Sequence, residues 1–259
     1  MLPCCRLLGQ KSKVNFSNAR SLPLPKKSTP MDIRIESLLA GAERAVGAVV
    51  IIDVFRAFTT AAVALAKGAT KIIVVGDVDE ALALRAAGVG HLCMGEVGGK
   101  RPPGFDLGNS PFEASQADLE GRTIIQRTSA GTQGIVAAKQ AARLYAGSLV
   151  TATATARALQ RQASAEITLV AMGLEGSRRS DEDELCAIHL RNLLQGRAGS
   201  PSGTRDVILA GPQIPAFSDP TKPHLHPADL DIALDIDRHD FAVLIAREDG
   251  RLVARKEAV

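Results

Sequence analysis

An acid, an arginine and two hydroxyls stand close together at Asp53, Arg56, Thr59 and Thr60, in the run VVIIDVFRAFTT (49–60). Apolar β-formers lead into Asp53, and the polar residues after it fall on what reads as the first turn of a helix. A carboxylate ending such a strand, beside a helix N-terminus, can hold a metal or act as a nucleophile next to an anion site. Unpaired, it is costly in apolar surroundings, so Asp53 needs either Arg56 or a metal as compensation. Arg suits phosphate, carboxylate or sulfonate because its planar fork binds two oxygens at once. The plainer alternative is a surface Arg with its stem on apolar neighbours. In the substrate-binding role, replacing Arg56 is expected to weaken catalysis and leave folding unchanged.

Further acids stand in comparable settings. Glu96 in GEVGG and Asp106 in GFDLGN lie in glycine-rich loops able to aim side chains at one point, and Glu175 ends the strand-like run ITLVAMGLE. Magnesium takes oxygen ligands, often few of them carboxylates, and completes its shell with water and substrate phosphate. A set drawn from Asp53, Glu96, Asp106 and Glu175 meets that demand, and Asp53, Glu96 and Asp106 are expected to converge. Glu182 and Asp183 read instead as first-turn acids complementing a helix dipole, in a partial capping box opened by Ser180. On the anion side, Thr128-Ser129-Ala130-Gly131-Thr132 follows a strand and opens a helix, where N–H groups and hydroxyls offer donors. It is not a Walker loop, and such hydroxyls also serve as caps. Arg127 adjoins it. His224 and His226 form an H-x-H with no acid or Cys partner near in sequence, and read as part of a solvated loop.

The elements that must position these residues alternate. Strands are predicted at Val49–Asp53, Lys71–Gly76, His91–Met94, Thr123–Arg127, Leu144–Ala146, Ile167–Met172, Val207–Leu209 and Phe241–Ala246. Helices are predicted at Thr59–Lys67, Val78–Ala87, Gly131–Ala141, Thr153–Gln162 and Asp181–Leu194, each with apolar residues at three- and four-residue spacing. Ser110-Pro111-Phe112-Glu113 is a helix start, with Ser as cap and Pro at the first position. The rhythm implies a largely parallel sheet covered on both faces. An internal echo runs at a shift of 73 residues: IIDVFRAFTTAAVA (51–64) lies on IIQRTSAGTQGIVA (124–137), sharing Ile-Ile, Ala57/Ala130, Thr59/Thr132 and Ala64/Ala137. As a structural repeat, it would place two strand-to-helix loops, and a site between them, in comparable positions. Segment 196–230, rich in Gly, Pro and Ser, reads as a long, partly mobile surface excursion.

The bulk properties narrow the class. The chain has 259 residues, 46% of them apolar and only 3% aromatic, as suits an α/β protein packed with small aliphatics. The net charge is +3, yet residues 1–30 hold Arg6, Lys11, Lys13, Arg20, Lys26 and Lys27 and no acid, so the remainder is mildly acidic. With no basic excess on the folded part, no Trp and one Tyr, nucleic acid is an unsuitable partner. No run of about 18 apolar residues marks a membrane span. Four cysteines without CxxC spacing point to a reducing, cytoplasmic setting, with Cys93 and Cys186 as buried small hydrophobes. Residues 1–30 resemble either a transit peptide or an extension ahead of a true start at Met31. Both readings leave 31–259 as one catalytic domain.

Taken together, VVIIDVFRAFTT, GEVGG, GFDLGNSP, RTSAGT and GLEG followed by SDEDELCA resemble the 2-phosphosulfolactate phosphatase family over most of 31–195, and weakly again at DLDIALDIDRHDFAV (229–243). The resemblance implies a three-layer α/β/α fold. It implies a Mg²⁺-dependent phosphatase of coenzyme M biosynthesis, hydrolysing (R)-2-phospho-3-sulfolactate to 3-sulfolactate and phosphate. Asp53 and Arg56 would be catalytic. Thr59, Thr60, Asn109, Arg127, Thr128, Ser129, Gly131 and Thr132 would bind the small anionic substrate. Asp53, Glu96, Asp106 and Glu175 would hold the metal. A homodimer is an allowed assembly. The basic N-terminus and the insert near 196–230 depart from the family pattern. The substrate therefore carries over less safely than the reaction type, and another small phosphorylated hydroxy acid stays open. A haloacid-dehalogenase-type enzyme would want a second Asp where Phe55 stands. A non-catalytic anion binder would not place carboxylates beside its ligand without a metal.

Overall fold

A computed structural model describes residues 31–197 and 199–259. Nine strands form one sheet in the order β1-β7-β2-β6-β8-β9-β3-β5-β4. They are β1 (Asp32–Ser37), β2 (Gly47–Ile52), β3 (Lys71–Val74), β4 (Leu92–Gly95), β5 (Thr123–Arg127), β6 (Ala141–Gly147), β7 (Glu166–Ala171), β8 (Phe241–Glu248) and β9 (Arg251–Ala258). Five strand pairings are parallel (β1–β7, β2–β7, β2–β6, β3–β5 and β4–β5), and β8 and β9 join the two parallel groups by antiparallel pairing. The helices are α1 (Leu38–Arg44), α2 (Ala57–Ala66), α3 (Val78–Ala86), α4 (Pro111–Gln116), α5 (Gly131–Ala137), α6 (Ala152–Arg161), α7 (Asp181–Leu194), α8 (Pro201–Leu209) and α9 (Pro227–Ala233).

The two-residue period of β2 shows how the three layers hold. Val49 and Ile51 pack with α2 and Ile135 of α5 on one face. Ala48, Val50 and Ile52 pack with α6 and α7 on the other. Such a doubly covered strand reads as an unbroken apolar run, as GAVVII does. The helices meet the sheet through small residues, with α2 burying every position from Ala57 to Leu65. Cys93 and Cys186 are buried and free.

The echo is topological. Strand–helix–strand–helix–strand occurs as β2-α2-β3-α3-β4 and again as β5-α5-β6-α6-β7. The copies exchange partners: β6-β2-β7 in one group corresponds, strand for strand, to β3-β5-β4 in the other. The loops after β2 and β5 are joined directly, Gly131 N donating to Asp53 Oδ2 at 2.8 Å.

Two expectations are corrected. Val207–Leu209 lies at the end of α8, which Ser200 caps through Gly203 N and Pro201 opens. Only Ile208 of the three faces the core, while Val207 and Leu209 are exposed, so the local alternation that suggested a strand sits within a helix. Segment 196–230 is no bare excursion, since it carries α8, a 3₁₀ turn (Ile214–Ser218) and the start of α9. The predicted strand at Phe241–Ala246 extends to Glu248 and pairs with β9 through a turn at Asp249-Gly250, both at positive φ, the pair that favours a hairpin. Residues 1–30, including the start-site reading, lie outside the described residues.

Candidate active site

A cleft of about 430 Å³ opens where the loops after β2, β4, β5 and β7 meet, in the size range of small-ligand sites. Each loop delivers a carboxylate or a polar group from a strand end, the place where α/β sheets collect ligands.

Asp53 follows β2 and is 5% exposed. Its Oδ1 accepts from Ala57 N at 3.0 Å and its Oδ2 from Gly131 N. It thus caps the first turns of both α2 and α5. Burial pushes its carboxyl up to about 7, helped by the charges of Glu96 and Glu182 and opposed by the two N–H bonds. Glu96, after β4, is held across from Ser129, after β5. Its Oε1 accepts from Ser129 N, and its Oε2 from Ser129 Oγ at 3.0 Å and from Gly99 N at 2.7 Å. Glu175, after β7, lines the cleft from a turn with Gly173 and Gly176 at positive φ, and is itself left-handed at φ 53°.

Glu182 and Asp183 do more than complement the dipole of α7. Ser180 makes no side-chain cap. Asp183 is buried, accepting from Val54 N at 2.7 Å and from Gly173 N at 2.8 Å, and so staples the β2 loop to the β7 loop. Glu182 turns into the cleft and accepts from Gln213. Burial raises both carboxyls.

Arg56 is 4% exposed and forms a buried ion pair, Nη1 to Asp229 Oδ2 at 2.9 Å, with a second bond from Nη1 to His224 O at 2.7 Å. Asp229 is wholly buried and also accepts from Ser110 Oγ at 2.6 Å and Phe112 N at 3.1 Å. Both bonds of Arg56 use Nη1, and Arg56 also lines the cleft. This buried ion pair argues against the expectation that Arg56 is separable from folding.

Asn109 and Ser129 line the cleft, Asn109 with its buried Oδ1 unmatched by any protein donor. Other expected binders are spent on local structure. Thr59 Oγ1 donates to Val54 O and Thr60 Oγ1 to Arg56 O. Thr128 and Thr132 bond each other through side chain and backbone in both directions. Gly131 gives its N–H to Asp53. Arg127 braces the loops through Gly76 O and Glu96 O. Asp106 lies away from the cleft: its Oδ2 takes Arg85 at 2.6 Å and Cys93 N at 2.7 Å, which corrects the three-acid convergence. Among the described residues, no three His, Cys, Asp or Glu side chains are grouped to hold a metal. Any divalent ion would rely on one or two carboxylates plus water and ligand oxygens, the habit of magnesium. Asp53 with Glu96 or Glu182 would supply such carboxylates.

The 2-phosphosulpholactate phosphatase family model matches residues 35–211. The chain belongs to that family. Similar proteins include probable 2-phosphosulfolactate phosphatases of Carboxydothermus hydrogenoformans (44% identical over 147 residues, 57% of this chain and 60% of that protein) and Thermus thermophilus (38% over 135 residues, 52% and 56%). A third, from a Cyanothece species, is 36% identical over 165 residues, 61% of this chain and 67% of that protein. These matches span roughly three fifths of the relatives' lengths. The family span contains the carboxylates of the cleft and Arg56, but ends before the residues that wall the cleft from 212 onward. Gln213, Lys222 and Asp229 had no signal in spacing, and His224, whose H-x-H spacing reads as a solvated loop, instead lines the cleft and accepts from Arg56. Glu182 stands in SDEDE, where periodicity alone does not tell which acid turns inward.

Proposed function

We propose that the chain is a Mg²⁺-dependent phosphatase that hydrolyses (R)-2-phospho-3-sulfolactate to 3-sulfolactate and phosphate. The observation that carries this reading is the charge imbalance of the cleft. Asp53, Glu96, Glu175 and Glu182 face it, against Arg56, already paired with Asp229, and Lys222. Such a lining repels a phosphate ester unless a cation joins it, and burial has already driven the Asp53 carboxyl toward its neutral form. Asp53 with Glu96 or Glu182 would hold Mg²⁺, which when bound neutralises phosphoryl oxygens and acidifies a bound water. Family membership and the names of the relatives supply the substrate.

The chain's own groups supply the rest. The guanidinium of Arg56 beyond Nη1 binds phosphoryl oxygens, and the Asn109 side-chain amide orients them. Asp53, fixed by two backbone N–H groups, is the carboxylate held ready to orient the attacking water or to attack phosphorus itself. Phe55 occupies the position where a haloacid-dehalogenase-type enzyme needs its second Asp, and its ring packs on Phe217 at 5.4 Å instead. The test is phosphate release from 2-phospho-3-sulfolactate, 2-phospholactate and simple phosphomonoesters, with Mg²⁺ and with EDTA. The sulfonated ester should be turned over best, with activity lost in EDTA and restored by Mg²⁺. Asp53→Asn should lower kcat at least ~100-fold, the scale of losing a positioned acid–base or metal group. Full activity in EDTA would refute the metal; inactivity on every ester would refute the phosphatase.

A further inference from the structure

We propose that Lys222 and His224 form a subsite for the anionic group remote from the phosphate, and that this subsite selects short phosphorylated acids bearing a second strong anion such as sulfonate. The assignment deepens the phosphatase reading and rests on it for which end of the ligand lies here.

Both residues belong to the wall that runs from Pro212 to Leu225, beyond the family-matched span. That wall is fastened to the site at three points. Gln213 donates to Glu182, Phe217 packs edge-on against Phe55 at 5.4 Å, and His224 O accepts from Arg56 at 2.7 Å. It is therefore held in register with the residues that handle the phosphate. Lys222 reaches the cleft from between these anchors. Its nearest carboxylate, Asp219, stands 3.8 Å away, and the other oxygen of that group is occupied by Thr221 N and Oγ1. So loose a pairing leaves the ammonium free to meet a ligand.

The His224 ring rests over Gly99, whose added Cβ would come within 3.3 Å of it. Arg56, Lys100 and Lys222 direct positive charge at that ring, and Glu96 partly opposes them. Lys222 and the Asp229-paired Arg56 are the Lys and Arg side chains lining the cleft, against Asp53, Glu96, Glu175 and Glu182. A carboxylate or sulfonate placed among the acids would meet only repulsion, whereas at Lys222 it gains a charge-assisted bond. Lys222 is a specificity residue and not a catalytic one, because it would meet the ligand's second anion and not the phosphoryl group.

The experiment measures binding apart from turnover. Calorimetric titration of the full chain with 3-sulfolactate and with lactate compares wild type, Lys222→Met and Lys222→Arg. Lys222→Met should weaken 3-sulfolactate on the order of 10–100-fold, the factor a charged hydrogen bond carries, and lactate much less. Lys222→Arg should restore most of the loss, and the melting temperature should hold in both variants. Equal effects on the two ligands, or 3-sulfolactate binding that ignores Lys222, would overturn the subsite. Lys222-dependent binding without hydrolysis of any ester would instead overturn the phosphatase and leave the subsite standing. Hydrolysis of phosphosulfolactate and phospholactate in a ratio unmoved by Lys222→Met would do the reverse.

Discussion

At the scale of the residue, the decisive feature is that charged groups of this cleft double as structural ties. Arg56 is the clearest case. Its guanidinium holds Asp229, and Asp229 in turn holds Ser110 and the N-terminus of α4. Removing either partner strands the other charge in a dry site, which typically costs about 3–5 kcal/mol. Arg56→Ala and Asp229→Ala should therefore both lower the melting temperature sharply. Arg56→Lys keeps the charge, so it should fold better than Arg56→Ala while losing catalytic efficiency through the missing fork. Thermal unfolding beside steady-state kinetics separates the two contributions; an Arg56→Ala protein as stable as wild type would show the pair to be dispensable. The sequence announced Arg56 as a functional residue through its place after Asp53. Its partner is 173 residues away, beyond the reach of any motif.

At the scale of the element, the strand-to-helix turns decide the site. The helix-start signals were legible: Ser110 caps α4 by accepting from Glu113 N, as its S-P-x-E order implies. Hydroxyls at Thr128 and Thr132 were equally visible, yet both accept from the other's backbone N–H and close the α5 turn on itself. A hydroxyl in a first turn serves a cap or a ligand with the same local sequence, and only the packing chooses. Gly131 shows the same choice. A Cβ there would come within 2.8 Å of Asp53 Oδ2 and 2.9 Å of Ala57 Cβ, so the glycine exists to let the two echoing loops touch. Gly131→Ala should push Asp53 off its N–H partners, with a stability loss of roughly 1–3 kcal/mol, the usual cost of overpacking, and a larger loss in kcat. Wild-type kinetics and unfolding in that variant would show that the contact between the loops is not needed.

At the scale of the whole molecule, the buried acids couple stability to pH and, under the proposed function, to metal. Asp53 has an ordinary value of 3.8 and is raised in the fold to about 7. The folded state thus holds its proton more tightly than the unfolded chain. Stability is fully present below about 3.8, is lost as pH rises from there to about 7, and stays lost above. Glu182 and Asp183, raised by the same burial, act with the same sign. In EDTA the wild type should be more stable at pH 5 than at pH 8, and Asp53→Asn should flatten that slope whatever its baseline. Millimolar Mg²⁺ at pH 8 should recover the loss, by about 2.7 kcal/mol when the ion is at 100 times its Kd. A slope unchanged in Asp53→Asn, or melting indifferent to Mg²⁺, would contradict this coupling. Among the described residues no helix is long and apolar enough to cross a membrane.

What the sequence determined by itself was local and periodic. GAVVII is apolar at every position because helices cover both faces of β2, and the helices announce themselves by three- and four-residue spacing. The 73-residue echo exposed the duplicated strand–helix order, strand ends and glycine-rich loops marked Asp53, Arg56, Glu96, Glu175 and Ser129, and the family resemblance added Asn109. The tertiary structure decided which of those polar groups face one another. Asp106 and Arg127 turned to structural partners, Glu182 turned inward from a run of acids, and the Pro-rich segment became a wall bearing Lys222 and His224. The reason is physical: secondary structure follows from contacts within a few residues. A cleft is assembled from chain segments more than 100 residues apart, and which polar groups survive there is set by burial and competition for hydrogen bonds, quantities that exist only once the chain has packed.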